Sequence, residues 1–249
     1  MLRKLMMCAL AGALLCLPVH AETVDEIIAK NVEARGGKDK LKAIQSVKIT
    51  GRMTMGPGGE APFVWKWKRP SMLRMEFTIQ GMTGIQAFDG KGGWMVMPFM
   101  GKKDPEALSD EDVKDVADQA DFDGPLVDYK EKGNQVELIG KETIEGTEAY
   151  KLKLTRKSGD VSFLYLDAVE YLEIKEEGKR MRHGQEFEFE SSSGDYKEVS
   201  GVMVAHSYES KQKGAPASQT ITFDKIETNV TLPDAEFKMP EVKKPEAGQ

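Results

Sequence analysis

Cysteine is scarce in this 249-residue chain, and both cysteines, Cys8 and Cys16, sit in its single long apolar run, Leu5 to Leu17. That run follows Arg3 and Lys4 and precedes Val19-His20-Ala21. This is the order of a secretory signal peptide ending in a small-residue cleavage site, so residues 1–21 are expected to be removed after Ala21. The 228 residues left carry no cysteine, which excludes a disulfide scaffold, thiol catalysis and a cysteine metal site. Leu15 precedes Cys16 and Met7 precedes Cys8, where an acylation signal needs a small residue. The expectation is a soluble exported protein without a lipid anchor, and a thiol-free chain suits the oxidising periplasm of a Gram-negative envelope.

Basic charge is also short. Without Arg3 and Lys4 the chain has 33 Lys and Arg against 41 Asp and Glu, a net charge of −8. Such a surface cannot neutralise phosphates, so no nucleic-acid partner is expected. No later stretch is apolar enough to span a bilayer. Histidine is reduced to His183 and His206, far apart, with no His-x-x-x-His pair, and no Gly-x-Ser-x-Gly elbow occurs. Gly90-Lys91-Gly92-Gly93 lacks phosphate-loop spacing and precedes a strand pattern. Asp121-Phe122-Asp123-Gly124 fails as a calcium loop. Aligning Gly124 to the invariant glycine puts Gln119 at the first ligand position and Lys130 where the bidentate acid belongs. A turn with satisfied aspartates is expected there. Glu186, Glu188 and Glu190 share one strand face and read as a solvated row. No catalytic residue, metal site or cofactor is expected, and an enzyme ranks last among the functional readings.

What is present is alternation. Thr23 and Glu26 form a capping box before Val24, Ile27, Ile28 and Val32 at helical spacing, and Gly36-Gly37 stops that helix. A further helical turn is expected at Lys40–Ile44. The period then becomes two: Val47 to Met55, then Phe63/Trp65/Trp67, then Leu73/Met75/Phe77/Ile79, an antiparallel meander followed by Trp94–Phe99. Ser109 with Asp112 caps a thinly apolar helix in which Val113, Val116 and Ala117 share one face. Seven more alternating segments run from Val136 to Phe223, with turns expected at Glu145-Gly146, Ser158-Gly159-Asp160, Ser193-Gly194-Asp195 and Gly214–Pro216. About ten or eleven strands, each apolar on one side, cannot lie flat on one small helix. The fold expected is mainly β: a strongly curved antiparallel sheet, part of a barrel, with helices on its concave side. Residues 22–240 are expected to form one domain and the Lys/Pro/Glu-rich 241–249 a disordered tail.

Eight of the eleven remaining methionines fall between Met53 and Met100, with all three tryptophans, Trp65, Trp67 and Trp94. Methionine adapts its shape to a fluid ligand and tryptophan adds apolar area. That suits an adaptable apolar wall. Met53, Met55, Trp65, Met75, Phe77, Ile79, Trp94, Val96, Met97 and Phe99 are the candidate cavity lining, and Val113, Val116 and Ala117 the inward face of a candidate lid.

A series of segments runs through the chain: Glu26-Ile27-Ile28-Ala29-Lys30 to Gly36-Gly37, Lys48-Ile49-Thr50-Gly51-Arg52, and Gln80-Gly81-Met82 with Ala87-Phe88-Asp89-Gly90. It continues through Trp94 to Phe99, Asp123 to Tyr129, Tyr165-Leu166-Asp167, Gly194-Asp195-Tyr196 and Glu236 to Pro240. In this order and spacing they make the chain resemble the LolA/LolB-like superfamily of outer-membrane lipoprotein-sorting proteins. The resemblance implies an open, incomplete β-barrel closed by a helical lid over an apolar cavity. It also implies a periplasmic carrier of lipoprotein acyl chains or phospholipid, served by an inner-membrane exporter and an outer-membrane acceptor, with a monomer expected. The chain is longer than the well-studied carriers, and no residue is assigned to their lid-latching arginine. A second reading is an envelope lipid-sensing regulatory module whose acidic lid residues, Asp110, Glu111, Asp112, Asp115 and Asp118, dock a partner.

Overall fold

The computed structural model describes residues 22–54, 59–182, 184–212, 215 and 218–241. Its first helix, α1 (Val24–Ala34), starts as its capping box dictates. Thr23 Oγ1 accepts from the Glu26 amide, and the Glu26 carboxylate accepts from the Thr23 amide at 2.8 Å. Ile27, Ile28 and Asn31 form its buried stripe. The helix stops at Gly36, whose φ is +110° and whose missing Cβ would lie 2.3 Å from the Gly201 carbonyl oxygen. Only glycine meets both conditions. A short α2 (Lys38–Ala43) follows and buries Leu41.

Thirteen strands then pair in one antiparallel sheet. The first run is β1 (Ser46–Thr54), β2 (Glu60–Lys68), β3 (Met72–Ile79), β4 (Met82–Phe88), β5 (Gly93–Met97) and β6 (Lys102–Ala107). The second is β7 (Gln135–Ile144), β8 (Thr147–Thr155), β9 (Val161–Asp167), β10 (Glu173–Arg182), β11 (Gln185–Val199), β12 (Val202–Gln212) and β13 (Gln219–Thr228). Each run is a meander, and β13 pairs with β1 to join them. Among the described residues β6 and β7 are left as unpaired edges, so the curved sheet is an open barrel.

Two strands exceed the eleven expected. β4 has no clean alternation because Gly84 and Gln86 occupy inner-face positions. β6, Lys-Lys-Asp-Pro-Glu-Ala, reads as a loop, yet its proline and charges are what an exposed sheet edge tolerates. One expected turn is corrected. β11 runs through Ser193-Gly194-Asp195 with its pairing to β12 intact, Gly194 opposite Ser207 and Tyr196 opposite Ala205. The reversal comes at Ser200-Gly201, both at positive φ, as in a two-residue hairpin turn. Glu145-Gly146 makes the hairpin turn expected of it, both residues again at positive φ. The expected signal segment 1–21, Met55 and the expected turn residues Gly56, Pro57, Gly58, Gly214 and Pro216 lie outside the described residues, as do the residues from 242 onward.

Pairing register assigns the faces. Ile49, Trp65 and Met75 lie opposite one another across β1, β2 and β3 on the inner face. Arg74, Ala87 and Trp94 line up on the outer face, as do Glu76, Ile85 and Val96. Three apolar clusters form the inner core. α1 packs Ile27 and Ile28 against Leu152, Leu154, Leu164 and Leu166 of β8 and β9. α2 and β1 pack around Phe63 and Phe223. α3 (Asp110–Gln119), capped by Ser109, packs Val116 and Ala120 on Leu73 and Phe88. The chain after α3 crosses the inner face to reach β7. The outer face receives the C-terminal segment: Lys68 donates to the Leu232 carbonyl at 2.6 Å, Arg74 to the Glu236 carbonyl at 2.8 Å, and Phe237 is fully buried.

Candidate functional site

Between the helices and the sheet the inner face encloses a cavity of about 580 Å³. This falls within the roughly 300–1,000 Å³ usual for small-molecule sites. One wall is apolar: Ile49 of β1, Trp65 and Trp67 of β2, Ile221 and Phe223 of β13, and Tyr208 of β12. Its rings lock each other. Trp65 stacks on Phe63 at 4.4 Å and meets Trp67 and Phe223 edge-on at 5.8 Å. Gly51 makes this possible, because a Cβ there would sit 2.6 Å from the Phe63 ring. Trp67 is tied to the helix α3 end by its indole N–H, which donates to the Gln119 carbonyl at 3.0 Å.

The other wall is polar: Glu173 and Arg180 of β10, Ser191, Ser193 and Tyr196 of β11, and Ser210 of β12. Ser193 and Tyr196 are three residues apart yet both border the cavity. Asp195 between them takes φ +52° and shifts the pleat. Burial pushes the Glu173 carboxyl well above the ordinary carboxylate range, helped by the charge of Glu176 and opposed by Arg35 and Arg156. The Tyr196 hydroxyl is pushed up by burial and by Glu173, and it donates to the Glu173 carbonyl at 2.7 Å.

The crossing segment closes the roof with Asp121, Phe122, Gly124, Pro125 and Leu126. One buried carboxylate holds it. Asp123, whose side chain is 4% exposed, accepts two hydrogen bonds from Arg69, at 2.6 and 3.0 Å, and one from Lys42 at 2.6 Å. Burial alone would raise its pKa. The Arg69 and Lys42 hydrogen bonds outweigh burial and take it down to about 2. Arg35 donates to the Asp123 carbonyl at 2.9 Å, and the Arg69 guanidinium stands 5.4 Å from the Phe122 ring. Asp121 is paired with Lys132 at 2.7 Å. The aspartates of the would-be calcium loop are thus occupied by cationic side chains. The row Glu186, Glu188 and Glu190 is likewise paired with Lys179 and Lys175.

Of the candidate lining residues that are described, Trp65 alone borders the cavity. Met53, Phe77 and Ile79 continue the same inner face beside it, packed with the Phe63 cluster. Met75 packs under α3. Phe99 reaches the inner face over Gly84 and contacts Phe77 at 5.5 Å, with Met97 beside it. Trp94 and Val96 are on the opposite face. Trp94 is 3% exposed and donates its indole N–H to the Phe237 carbonyl at 2.9 Å. Strand alternation across β3–β5 forces this, since Trp94 is in register with Arg74 rather than with Leu73. Met55 lies outside the described residues. Val113, Val116 and Ala117 all face the sheet, Val116 with no exposure. Sequence reasoning missed most of the site. Trp67 shares the alternation of Trp65 and was available from pattern alone. Ile221 and Phe223 were not, because only the β1–β13 pairing brings them beside Trp65. Asn31, Arg35 and Glu173 gave no signal.

An open antiparallel sheet curled over a helix-covered inner cavity defines the class of protein. No protein-family model matches the chain, and no curated protein matches its sequence. Solved structures do. A DUF1329 family protein from Desulfovibrio piger is similar with a TM-score of 0.62 at 13% identity, covering 88% of this chain and 98% of that one. A LolA superfamily protein from Nitrosomonas europaea gives 0.58 at 18% identity over the same shares. A putative outer membrane lipoprotein-sorting protein domain from Vibrio parahaemolyticus gives 0.57 at 13% identity, covering 84% and 94%. The chain has the LolA-like fold. Among the described residues no helix is long and apolar enough to cross a membrane.

Proposed function

We propose that this protein is a periplasmic carrier that shields acyl chains of lipoproteins or other lipids in the inner cavity and moves them toward the outer membrane. The observation that carries the reading is the half-buried aromatic wall. Trp65, Trp67, Ile221 and Phe223 present apolar surface to a half-open cavity in a fold shared with a putative outer membrane lipoprotein-sorting protein domain. A carrier must hide chains yet release them, which favours apolar contact over fixed hydrogen bonds. Met53, Phe77, Ile79 and Phe99 extend that surface beyond the cavity, and α3 is the lid, held by one narrow apolar stripe. In this reading residues 1–21 are removed on export, residues 22–240 are one lipid-binding domain, and the protein acts as a soluble monomer without catalytic chemistry. An inner-membrane exporter loads it and an outer-membrane acceptor unloads it. Native mass spectrometry of protein released gently from the periplasm is the test. A lipid-bound mass that survives gentle ionisation supports the reading. Apo mass alone, even after incubation with acylated lipoprotein or phospholipid, overturns it.

A further inference from the structure

The cavity is bordered by groups of α1 and β10 that an acyl chain cannot satisfy. Asn31 is 2% exposed and borders the cavity. Its Nδ2 donates to the Tyr171 carbonyl at 2.7 Å, which fixes the amide's orientation and leaves the buried Oδ1 without a hydrogen-bond partner. Glu173 borders the same cavity, two residues beyond Tyr171. Its carboxyl makes no hydrogen bond or ion pair among the described residues. Half-buried in the cavity wall and close to Glu176, that carboxyl is pushed toward its protonated form, which both donates and accepts. Arg35, one turn after Asn31 on α1, already donates to the Asp123 carbonyl, and Tyr196 already donates to the Glu173 carbonyl. The unmet acceptor and the unmet carboxyl therefore both border a chamber whose other wall is apolar. A buried acceptor without a donor is costly, so a ligand that supplies one is favoured over a ligand that does not.

Resting on the carrier reading above, we propose that this part of the cavity wall holds the uncharged polar neck of an acyl lipid: a hydroxyl or amide N–H donating to Asn31 Oδ1, with an adjacent oxygen accepting from Glu173. The ligand class is an amide- or hydroxyl-bearing acyl lipid, its chain lying along Trp65, Trp67 and Phe223. Selection against a plain ester of the same chain length follows, because the ester brings no donor.

The experiment titrates the purified full-length protein with three sixteen-carbon probes, following tryptophan fluorescence: palmitamide, 1-monopalmitoylglycerol and methyl palmitate. One satisfied buried hydrogen bond is worth about tenfold in affinity. At least one donor-bearing probe is therefore expected to bind about tenfold tighter than methyl palmitate, and which one does so distinguishes an amide neck from a hydroxyl neck. Glu173→Gln, which keeps a neutral donor and acceptor, retains the preference. Asn31→Leu reduces it to near unity while methyl palmitate still binds. Glu173→Leu weakens all three probes alike, because each offers an oxygen that accepts from Glu173, and leaves the preference in place. If Asn31→Leu fails to fold, the wild-type ranking and Glu173→Leu decide. Equal affinity of the wild type for all three probes, an undiminished preference in folded Asn31→Leu, or unchanged affinities in Glu173→Leu overturns the proposal and leaves the carrier reading standing. Failure of all three probes to bind overturns both.

Discussion

Asp123→Asn is the perturbation whose outcome the structure constrains most tightly. The carboxylate is nearly sealed from water and takes three hydrogen bonds from two cations. Its pKa of about 2, against 3.8 for a free aspartate, makes the charged form more favourable in the folded state. At about 1.4 kcal/mol per unit, this is worth about 2.5 kcal/mol at neutral pH. Deleting one partner of a buried ion pair usually costs about 3–5 kcal/mol. The lower end applies here. Arg69 keeps hydrogen bonds to the Ile44 and Leu41 carbonyls, and Lys42 keeps Asp128 at 3.1 Å. The expected loss is about 2–4 kcal/mol, or about 5–15 °C in melting temperature for a chain of this size. The sign of the pH dependence follows from the depressed pKa. The contribution is complete above the unfolded value near 4 and is lost as pH falls through about 2. Urea unfolding of wild type and variant from pH 7 to pH 2 is the assay. The gap between the two stabilities is expected to narrow below pH 4. A gap under about 1 kcal/mol at pH 7, or one that does not shrink on acidification, refutes the assignment of Asp123 as the anchor of the crossing segment.

The two tryptophans that looked alike in the sequence are expected to behave differently. Trp65→Glu puts a charge into the cavity wall and abolishes lipid retention with the fold kept, as native mass spectrometry and far-ultraviolet circular dichroism read together. Trp94→Ala removes a buried outer-face ring and its hydrogen bond to Phe237, costing about 3–5 kcal/mol of stability in urea unfolding with lipid affinity per folded molecule unchanged. Gly51→Ala places a methyl group 2.2 Å from the Thr222 carbonyl oxygen and against Phe63. It is expected to cost about 1–3 kcal/mol and to alter the near-ultraviolet circular dichroism of the Trp65–Phe63 stack. Val113→Ser thins the apolar stripe of α3. Hydrogen exchange in α3 and the lipid off-rate should both rise while β8 and β9 stay protected, and unchanged exchange in α3 would show that its stripe does not hold it.

Local chemistry made much of the architecture legible. Thr23 with Glu26 caps α1 because a hydroxyl and a carboxylate three residues apart satisfy two orphan amides, wherever the helix later docks. The period-two runs of β1–β3 and β7–β13 put apolar side chains on one side, and that alone marks a half-buried antiparallel sheet. β4 and β6 escaped because their patterns answer to neighbours. Gly84 leaves room for Phe99, and β6 is an edge strand that solvent permits to be charged. The cavity was only partly legible. Alternation correctly places Trp65, Met75 and Phe77 on one face but cannot say which face Trp94 takes, since that depends on the register between β3, β4 and β5.

The amino-acid sequence by itself determined the helix starts, most strands and the chemical character of the first half of the sheet, because each depends on contacts a few residues long. Only the tertiary structure decided that β13 closes onto β1, setting Phe223 beside Trp65 across more than 150 residues of chain. It also decided that Asp123 draws Arg69 and Lys42 into one buried cluster. Asn31 and Glu173 likewise border one cavity only in the folded chain. Pairings between residues so far apart are fixed by strand order and register, and no local pattern encodes them.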